Sequence, residues 1–514
     1  MSGFSGVVSA SKIYCSGDDR RTATWFGVDG GRVTAVGEGQ PPSTAPSMHF
    51  DGVVLPGLID AHVHMTTTGL YDRGLDLREC RSVDELLGVI REAGSDKQWV
   101  IAGNFDPGRN TEKAMPTRQL LDSVAPDCNL LVSRADGHSC SLNTRALETV
   151  SLPKDTPGID IAPDGSPSGI LSNMANYETR KRFFGALPVE EVSAAQQHAC
   201  EIALTRGVTS VHEMAGGSFM GDKDFEVLMS SVDSYPIHVL PYLATFDIGK
   251  VSSHNLGCIG GDLFLDGSIG SKTAAMSLPY ENEAGQGTLY HSDEAIIRFF
   301  VDAARAGLQA GVHAIGDAAI EQAIRCMEES VIRLGPEAAL SARTVGNRIE
   351  HFECVSDEQL DRAAALGVIP SVQPMFDAYW GGPEGMYAER LGSRAAGMNP
   401  FSKMIQRGMP VAGGSDSTVT PLDPFLGMAA AMGHYREDFR VGFDEALAMF
   451  TTWAARAGMD QERGCIKEGA LADFCVLAVD PAMLSSEELG RTKVRETWVG
   501  GIRKWSSAKP EHDD

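Results

Sequence analysis

The sequence predicts an α/β fold, with a parallel sheet at its centre and a smaller β-rich domain formed by the two chain ends. Short strand-like segments separated by glycines occupy residues 6–55 and return over residues 464–501, a pattern typical of antiparallel sheets. Between these ends, strand-like runs alternate with helical stretches such as residues 193–206 and 293–306. Such alternation indicates βα units and a parallel sheet.

The composition of the 514-residue chain fits a large globular enzyme and argues against two classes of partner. A chain of this length exceeds one typical core, so we expect two domains or one barrel with additions. Its hydrophobic fraction of 43% is ordinary for a globular protein, and its net charge is −25. Because so acidic a chain repels nucleic acid and anionic membranes, we expect neither as a partner.

Two further features predict a cytoplasmic protein. The first six residues lack the basic region and the apolar core of a secretory signal, and no stretch approaches the length of a membrane span. The ten cysteines are scattered without a C-x-x-C pair, so neither a cysteine zinc site nor a disulfide framework is suggested. A reducing compartment is the simplest location for such cysteines.

The segment VLPGLIDAHVH at residues 54–64 carries the clearest chemical signal of the chain. Side chains two apart on a strand point to the same face, so His62 and His64 would project side by side, roughly 6–7 Å apart. Two imidazoles placed in this way can bind one divalent cation. The alternative is a pair of unrelated polar residues at the end of a strand.

Four later segments repeat the pattern of a short apolar strand that ends in a polar side chain. These polar residues are Asp266, His313, His351 and Asp416. In a TIM barrel, catalytic groups collect at the C-terminal ends of the strands. Alone, each histidine is more often a hydrogen-bonded core residue, and Asp416 is equally explained as a turn residue, but together the strand-end groups indicate one shared site.

Several motifs follow one another in an order that identifies a family. With these motifs the chain resembles the amidohydrolase superfamily, in particular its amidohydrolase-3 branch of YtcJ-like and N-substituted formamide deformylase-like proteins. The resemblance covers nearly the whole chain and implies a distorted TIM (β/α)8 barrel with an insertion, plus a small β-sandwich domain formed by both chain ends. The motifs are PGLIDAHVH at 56–64, DGHS at 136–139, DGSIGSKTAA at 266–275, HAIGD at 313–317, RIEH at 348–351, GSD at 414–416 and GALAD at 469–473.

The expected domain boundaries follow from this resemblance and from the long connection after the first barrel strand. That connection is expected to carry an inserted subdomain, and insertions at the catalytic face shape substrate pockets. The expected segments are residues 1–56 and 463–508 for the sandwich, 57–462 for the hydrolase barrel, about 66–199 for the part with the insertion and 509–514 for a disordered tail.

The resemblance assigns roles to the strand-end residues. His62 and His64 match the metal ligands of strand 1, and His313 and His351 match the histidines of strands 5 and 6. Asp416 matches the aspartate of strand 8, which touches metal and accepts a proton from the attacking water. A divalent metal lowers the pKa of bound water and polarises the scissile carbonyl. Asp416 and His351 are therefore the expected catalytic residues, and Zn²⁺ is the expected ion.

One position departs from the family pattern. Many relatives have a lysine on strand 4 that becomes a bridging carbamate, whereas this chain has Asp262 there. Either Asp262 bridges two metals, or it is a strand-entry residue outside the site, or the site holds one metal. In the one-metal case His351 orients water or substrate, and the ligands are His62, His64, His313 and Asp416.

Three residues are expected to contact the substrate. Asp266 and Ser268 lie on a glycine-containing turn at the predicted mouth of the barrel, and His138 lies in the inserted region. The family counterpart of His138 faces the pocket.

Together these features predict a metal-dependent hydrolase that cleaves a non-peptide C–N bond in a small amide, formamide or cyclic amide. One alternative is a deaminase, esterase or decarboxylase on the same scaffold, because chemistry is carried by sites and not by folds. Another is a non-catalytic family member, which the missing lysine would explain and the retained histidines argue against. The expected partners are a small-molecule substrate and, by family analogy, a second copy in a homodimer.

Overall fold

The computed structural model divides the chain into two compact units. The main unit comprises residues 1–64, 200–215 and 232–514, and the second unit comprises residues 65–199 and 216–231. Within them, the structure describes residues 3–42, 46–93, 97–107, 111–134, 137, 139–216, 221–336 and 344–508.

Both chain ends contribute to one seven-stranded sheet of the main unit. The order is β21-β20-β19-β4-β1-β2-β3, and only β1 and β4 run parallel. On its buried side, the rings of Phe474 and Trp498 stack 5.3 Å apart. A sandwich of two facing sheets stays a prediction. The strands are β1 Gly6–Tyr14, β2 Thr22–Asp29, β3 Arg32–Gly37, β4 Ser47–Pro56, β19 Phe474–Leu477, β20 Val494–Val499 and β21 Ile502–Ser506.

Eight short parallel strands carry the functional residues of the main unit. They form a sheet of order β13-β12-β5 and a sheet of order β14-β15-β16-β17-β18. Nearly all their residues are buried, as expected for parallel strands covered on both faces. The strands are β5 Leu58–Val63, β12 Val208–Ala215, β13 His238–Leu243, β14 Cys258–Ile259, β15 Gln309–Ala314, β16 Arg348–His351, β17 Ile369–Val372 and β18 Ala412–Gly413.

Hydrogen bonds also join the outer strands of these two parallel sheets. The Gly260 amide donates to the Leu243 carbonyl at 2.9 Å, which places β14 beside β13. At the other edge, the Asp416 amide donates to the His62 carbonyl at 2.8 Å, and the His64 amide donates to the Ser417 carbonyl at 3.1 Å. These bonds place β18 beside β5, so the strand ends that carry the polar residues meet.

Helices follow most of these parallel strands. The helix Asp293–Arg305 is an example: the Ser292 hydroxyl caps its first turn, and its buried face includes Ile296 and Phe300. Among the described helices, none combines the length and apolar character that a membrane crossing requires. The helices of the main unit are Ile248–Ser253, Asp293–Arg305, Asp317–Leu334, Asp357–Leu366, Pro374–Trp380, Met386–Leu391, Phe401–Gln406, Pro424–Met432, Phe443–Met449, Thr452–Ala457 and Ser486–Leu489.

The second unit contains its own six-stranded sheet of order β10-β11-β9-β8-β7-β6. Leu131, Phe183 and Phe184 belong to one of its buried clusters. Its strands are β6 Leu75–Asp76, β7 Trp99–Phe105, β8 Asn129–Arg134, β9 Ser139–Leu142, β10 Ile159–Ile161 and β11 Pro167–Ser172. Its helices are Met65–Asp72, Val83–Glu92, Arg118–Asp122, Thr144–Val150, Asn173–Ala186 and Asp222–Ser231, and Val189–Thr205 runs from this unit into the main one.

Candidate metal centre

Six side chains from five parallel strands converge in the main unit. Each lies at or just after the C-terminal end of its strand, and each is buried or nearly so. Their ligand atoms fall into three overlapping groups in which all atoms lie within 4.8 Å of one another. The groups are His62, His64 and Asp262; His62, His351 and Asp416; and Asp262, His313 and His351.

Asp262 lies at the middle of this cluster. Its Oδ1 is 3.0 Å from His313 Nδ1 and 3.5 Å from His351 Nε2, while its Oδ2 is 3.7 Å from His64 Nε2. The two carboxylate oxygens therefore face different histidines. Although Asp262 has a shorter side chain than lysine, the fold brings the histidines to it from both sides.

Asp416 lies close to His62 and His64. Its Oδ1 is 3.1 Å from His64 Nε2 and 3.6 Å from His62 Nε2. The backbone φ angles of Asp416 and His351 are +51° and +71°, in the left-handed region that residues other than glycine rarely adopt. Such conformations cost about 1–3 kcal/mol and cluster at functional sites.

Each of the four imidazoles has an acceptor behind the ring, on the side away from the cluster. His62 Nδ1 lies 2.9 Å from Glu350 Oε2, and His64 Nδ1 lies 3.0 Å from the Met214 carbonyl oxygen. Because both partners accept, Nδ1 carries a hydrogen in each ring, and in the neutral ring Nε2 is the nitrogen whose lone pair faces the cluster.

The remaining two rings differ in which nitrogen faces the centre. His351 Nδ1 lies 2.7 Å from Gln373 Oε1, so its Nε2 faces Asp262. His313 is reversed: its Nδ1 faces Asp262, and its Nε2 lies 3.4 Å from the Gly267 carbonyl oxygen. Every imidazole thus presents a nitrogen to the cluster.

The donor set fits a divalent cation. His62 Nε2 is buried and has no hydrogen-bond partner among the described residues. A buried lone pair without a partner is costly, and a cation between the rings would satisfy it. Imidazole nitrogens and carboxylate oxygens are ligands that Zn²⁺ accepts.

The electrostatics of the cluster also favour positive charge. Burial lowers the pKa of the His64 imidazole, but Asp416 and Asp262 outweigh it and raise the pKa to about 10. In the same way Asp262 and Asp416 raise the pKa of His351 to about 9. Burial raises the pKa of both carboxyls, yet the histidines around them bring it below its usual range.

Asp266 and Ser268, expected to contact substrate, are both engaged in hydrogen bonds within the protein. Asp266 is fully buried and accepts from the Ala275 and Gly316 amides at 2.8 Å and from the Ile315 amide at 3.1 Å. The Ser268 hydroxyl lies 2.8 Å from the Ser271 hydroxyl.

His138, the third residue expected to contact substrate, lies outside the described residues. Lys272, the lysine of the DGSIGSKTAA motif, forms an ion pair with Glu283.

Sequence reasoning missed Arg348 and Glu350, which lie directly behind His62. Both are fully buried, and Arg348 Nε lies 2.8 Å from Glu350 Oε1. Burial raises the pKa of Glu350, but Arg348 and His62 outweigh this and bring it to about 2. The available signal was two opposite charges, two residues apart, in the short strand-like segment that ends in His351.

A family model and two curated proteins match most of the chain. The amidohydrolase family model matches residues 51–503. YtcJ of Bacillus subtilis strain 168 is 27% identical over 503 residues, which span 90% of this chain and 90% of YtcJ. N-substituted formamide deformylase of Arthrobacter pascens is 24% identical over 518 residues, covering 93% of this chain and 94% of that enzyme.

A solved structure also matches most of the chain. An uncharacterized metal-dependent hydrolase from Pyrococcus horikoshii OT3 matches with a TM-score of 0.80 and 25% identity, over 94% of this chain and 99% of that one. The α/β fold and the family resemblance predicted from the motifs are thereby confirmed. Because the family model matches most of its length, the chain belongs to the amidohydrolase family.

Proposed function

We propose that this protein is a metal-dependent hydrolase that cleaves a non-peptide C–N bond in a small amide, formamide or cyclic amide. The observation that carries the proposal is the convergence of four histidines and two aspartates at the ends of the parallel strands. Family membership supports hydrolysis, and the similarity to a formamide deformylase supports the C–N bond.

The residues that would hold the metal are the six of the cluster. A divalent cation bound there, with Zn²⁺ as our proposal, makes water more acidic and polarises the substrate carbonyl. The Asp262 oxygens face His64 on one side and the His313 and His351 pair on the other, so Asp262 would help to hold two cations. The alternative is one cation held by His62, His64, His313 and Asp416.

Asp416 is the proposed general base. Its carboxylate lies among the metal-binding imidazoles and accepts the proton of the attacking water while the water oxygen bonds to the carbonyl carbon. When the C–N bond breaks, Asp416 returns that proton to the leaving nitrogen, so the products are a carboxylic acid and an amine. His351, beside Asp262, orients the water or the substrate in the one-cation arrangement.

The finer architecture is also a proposal. We propose that the eight parallel strands close into a distorted TIM barrel, which the hydrogen bonds between β13 and β14 and between β18 and β5 support. The scattered cysteines support a reducing, cytoplasmic location. A homodimer remains a prediction.

Metal content is the first test. Elemental analysis of the zinc-reconstituted protein should give about two ions per chain, falling to about one in Asp262→Ala. Asp423→Ala is the matched control, because Asp423 is a buried carboxylate that caps the helix Pro424–Met432 and pairs with Arg206. One ion in both wild type and Asp262→Ala would support the single-cation arrangement, and none would refute the proposed function.

Substrate class is the second test. We expect the reconstituted enzyme to hydrolyse amides or formamides and to leave amino-purines, amino-pyrimidines and carboxylic esters unchanged. Turnover of an amino-purine or of an ester in place of amides would assign the scaffold to deamination or ester hydrolysis. A metal-loaded protein that turns over none of these compounds would favour a non-catalytic role.

A further inference from the structure

We infer that Glu350 is a positioning residue for His62, and that Arg348 holds Glu350 where this role requires it. The inference rests on the proposed function, because it assumes that His62 binds a cation. It gives a role to the buried ion pair of Arg348 and Glu350, which are neither metal ligands nor the general base of the proposed function.

The first step is the contact between Glu350 and His62. Both side chains are completely buried, and Glu350 Oε2 lies 2.9 Å from His62 Nδ1. An ionised carboxylate only accepts hydrogen bonds, so the imidazole hydrogen resides on Nδ1. The lone pair is therefore on Nε2, the atom that is buried without a hydrogen-bond partner among the described residues and lies 3.6 Å from Asp416 Oδ1.

The second step is the way Arg348 fixes Glu350. The guanidinium binds the carboxylate through two atoms, with Nε 2.8 Å from Oε1 and Nη2 3.0 Å from Oε2. Nη2 also donates to the Ala61 carbonyl at 2.6 Å, one residue before His62. Arg348 therefore holds both the backbone beside His62 and the carboxylate behind its ring.

The rest of the Arg348 guanidinium is held by neighbouring strands. Nη1 lies 2.9 Å from His212 Nδ1 in β12 and 3.1 Å from the Tyr242 hydroxyl in β13. Nη2 lies 2.9 Å from the Ser371 hydroxyl in β17. With contacts to four strands besides its own, the guanidinium has little freedom to rotate, and neither has the carboxylate it binds.

Stability alone does not explain this ion pair. Removing two charges from water is costly, and replacing a buried ion pair by apolar residues of similar volume is often neutral or stabilising. A carboxylate behind a ligating imidazole, in contrast, fixes the tautomer and makes the ring a better ligand. The pair is thus better explained by its effect on the tautomer and the ligand strength of the His62 imidazole.

Among the four cluster histidines, His62 is the one whose rear nitrogen is within hydrogen-bond distance of a carboxylate, since Asp266 Oδ1 lies 3.7 Å from His313 Nε2. The acceptors behind His64 and His351 are neutral, the Met214 carbonyl and the Gln373 amide oxygen. Only His62 has a charged acceptor behind it among these three rings. We therefore expect the cation bound by His62 to be the one whose affinity depends on Glu350.

The test measures cation affinity and folding separately. Zn²⁺ alone is titrated into EDTA-stripped protein in competition with a chromogenic chelator, and urea unfolding of the stripped protein reports its stability. Glu350→Gln removes the charge, and Glu350→Asp keeps it but shortens the reach to His62. The double variant Arg348→Met with Glu350→Gln removes both charges together, which guards against a folding failure of the single variant.

We expect each folded variant to bind Zn²⁺ about 10- to 100-fold more weakly than wild type. Asp423→Asn neutralises a buried carboxylate that accepts from the Phe425 amide and pairs with Arg206, and this variant should leave the affinity unchanged. A folded Glu350 variant that binds Zn²⁺ as tightly as wild type would overturn the inference, even if its unfolding free energy is lower. A wild-type protein that binds no Zn²⁺ would instead overturn the proposed function, and this inference with it.

Discussion

At the scale of single residues, Asp416 has the environment that a general base requires. It is buried, its backbone is in the left-handed region, and its carboxylate lies within 3.6 Å of two imidazoles. We predict that Asp416→Asn lowers kcat at least about 100-fold, because the amide cannot accept the proton of the attacking water. The measurement is kcat per bound Zn²⁺ on the best amide substrate.

The control for this prediction is Asp423→Asn in the same unit. Asp423 is also buried, but it accepts from the Phe425 amide and pairs with Arg206. This variant should keep its kcat while its urea midpoint falls. Equal kcat values for Asp416→Asn and wild type would show that another group accepts the proton.

Asp266 is predicted to act on stability rather than on substrate affinity. Its two oxygens accept three backbone N–H groups, and its side chain is fully buried. In Asp266→Asn, one amide NH₂ must face a backbone donor, so we expect the free energy of unfolding to fall by about 1–3 kcal/mol. Urea unfolding measures this loss. If instead KM rises and the unfolding free energy is unchanged, Asp266 contacts the substrate, as the sequence suggested.

The sequence could indicate ligands but not the residues that orient them. His62 and His64 are recognisable because strand alternation and their spacing place both on one face. Glu350 and the Met214 carbonyl are not recognisable in this way, because they reach the imidazoles across strands far apart in the chain. Which imidazole each of these acceptors contacts depends on strand register, and no local pattern in a single sequence encodes that register.

At the scale of elements, the site depends on close contact between β18 and β5. A Cβ added at Gly414, just after β18, would lie 2.6 Å from the His62 backbone nitrogen and 2.7 Å from His62 Cβ. The Gly414→Ala substitution must therefore push the two strands apart. We predict a loss of about 1–3 kcal/mol in the free energy of unfolding, together with weaker Zn²⁺ binding, because Asp416 moves relative to His62.

Gly397→Ala is the matched control for this prediction. Gly397 ends the 3-10 helix Gly392–Gly397, and an added Cβ there would meet no atom within 4 Å. Chelator competition and urea unfolding on both variants test the idea. Unchanged Zn²⁺ affinity in a folded Gly414→Ala protein would mean that the strand contact does not set the distance between Asp416 and His62.

Some elements were predictable and others were not, for physical reasons. The β-rich ends and the helix Asp293–Arg305 have clear periodicity, so the sequence indicates them. The strands β14 and β18 comprise two residues each, too short for any periodic pattern. Residues 216–231 join residues 65–199 in one unit although β12 lies between them, a tertiary arrangement that local sequence does not signal.

At the scale of the whole molecule, the cluster couples protons, cations and folding. Without a cation, the carboxylates raise the pKa of His64 to about 10 and that of His351 to about 9, against about 6.5 in an unfolded chain. A histidine whose pKa is raised in the folded state stabilises the protein fully at pH values below its pKa in the unfolded chain. This stabilisation is lost as the pH rises through its pKa in the folded protein. A cation needs neutral imidazoles, so it replaces these protons.

We therefore predict that stripped and loaded protein differ in the pH dependence of their stability. In EDTA, the melting temperature should fall as the pH rises from about 7 to about 10, because His64 and His351 lose the protons that compensate Asp262 and Asp416. At a pH where free Zn²⁺ is about 100 times its Kd, binding should add about 2.7 kcal/mol to the stability. If free Zn²⁺ is instead held constant while the pH rises, its Kd falls, so the difference between the two melting curves should widen. Thermal unfolding followed by circular dichroism measures both curves, and calorimetry in buffers of different ionisation enthalpy counts the protons released. A difference that stays constant between pH 7 and pH 10 would contradict the exchange of protons for the cation, because metal affinity would then not compete with the protonation of these two rings.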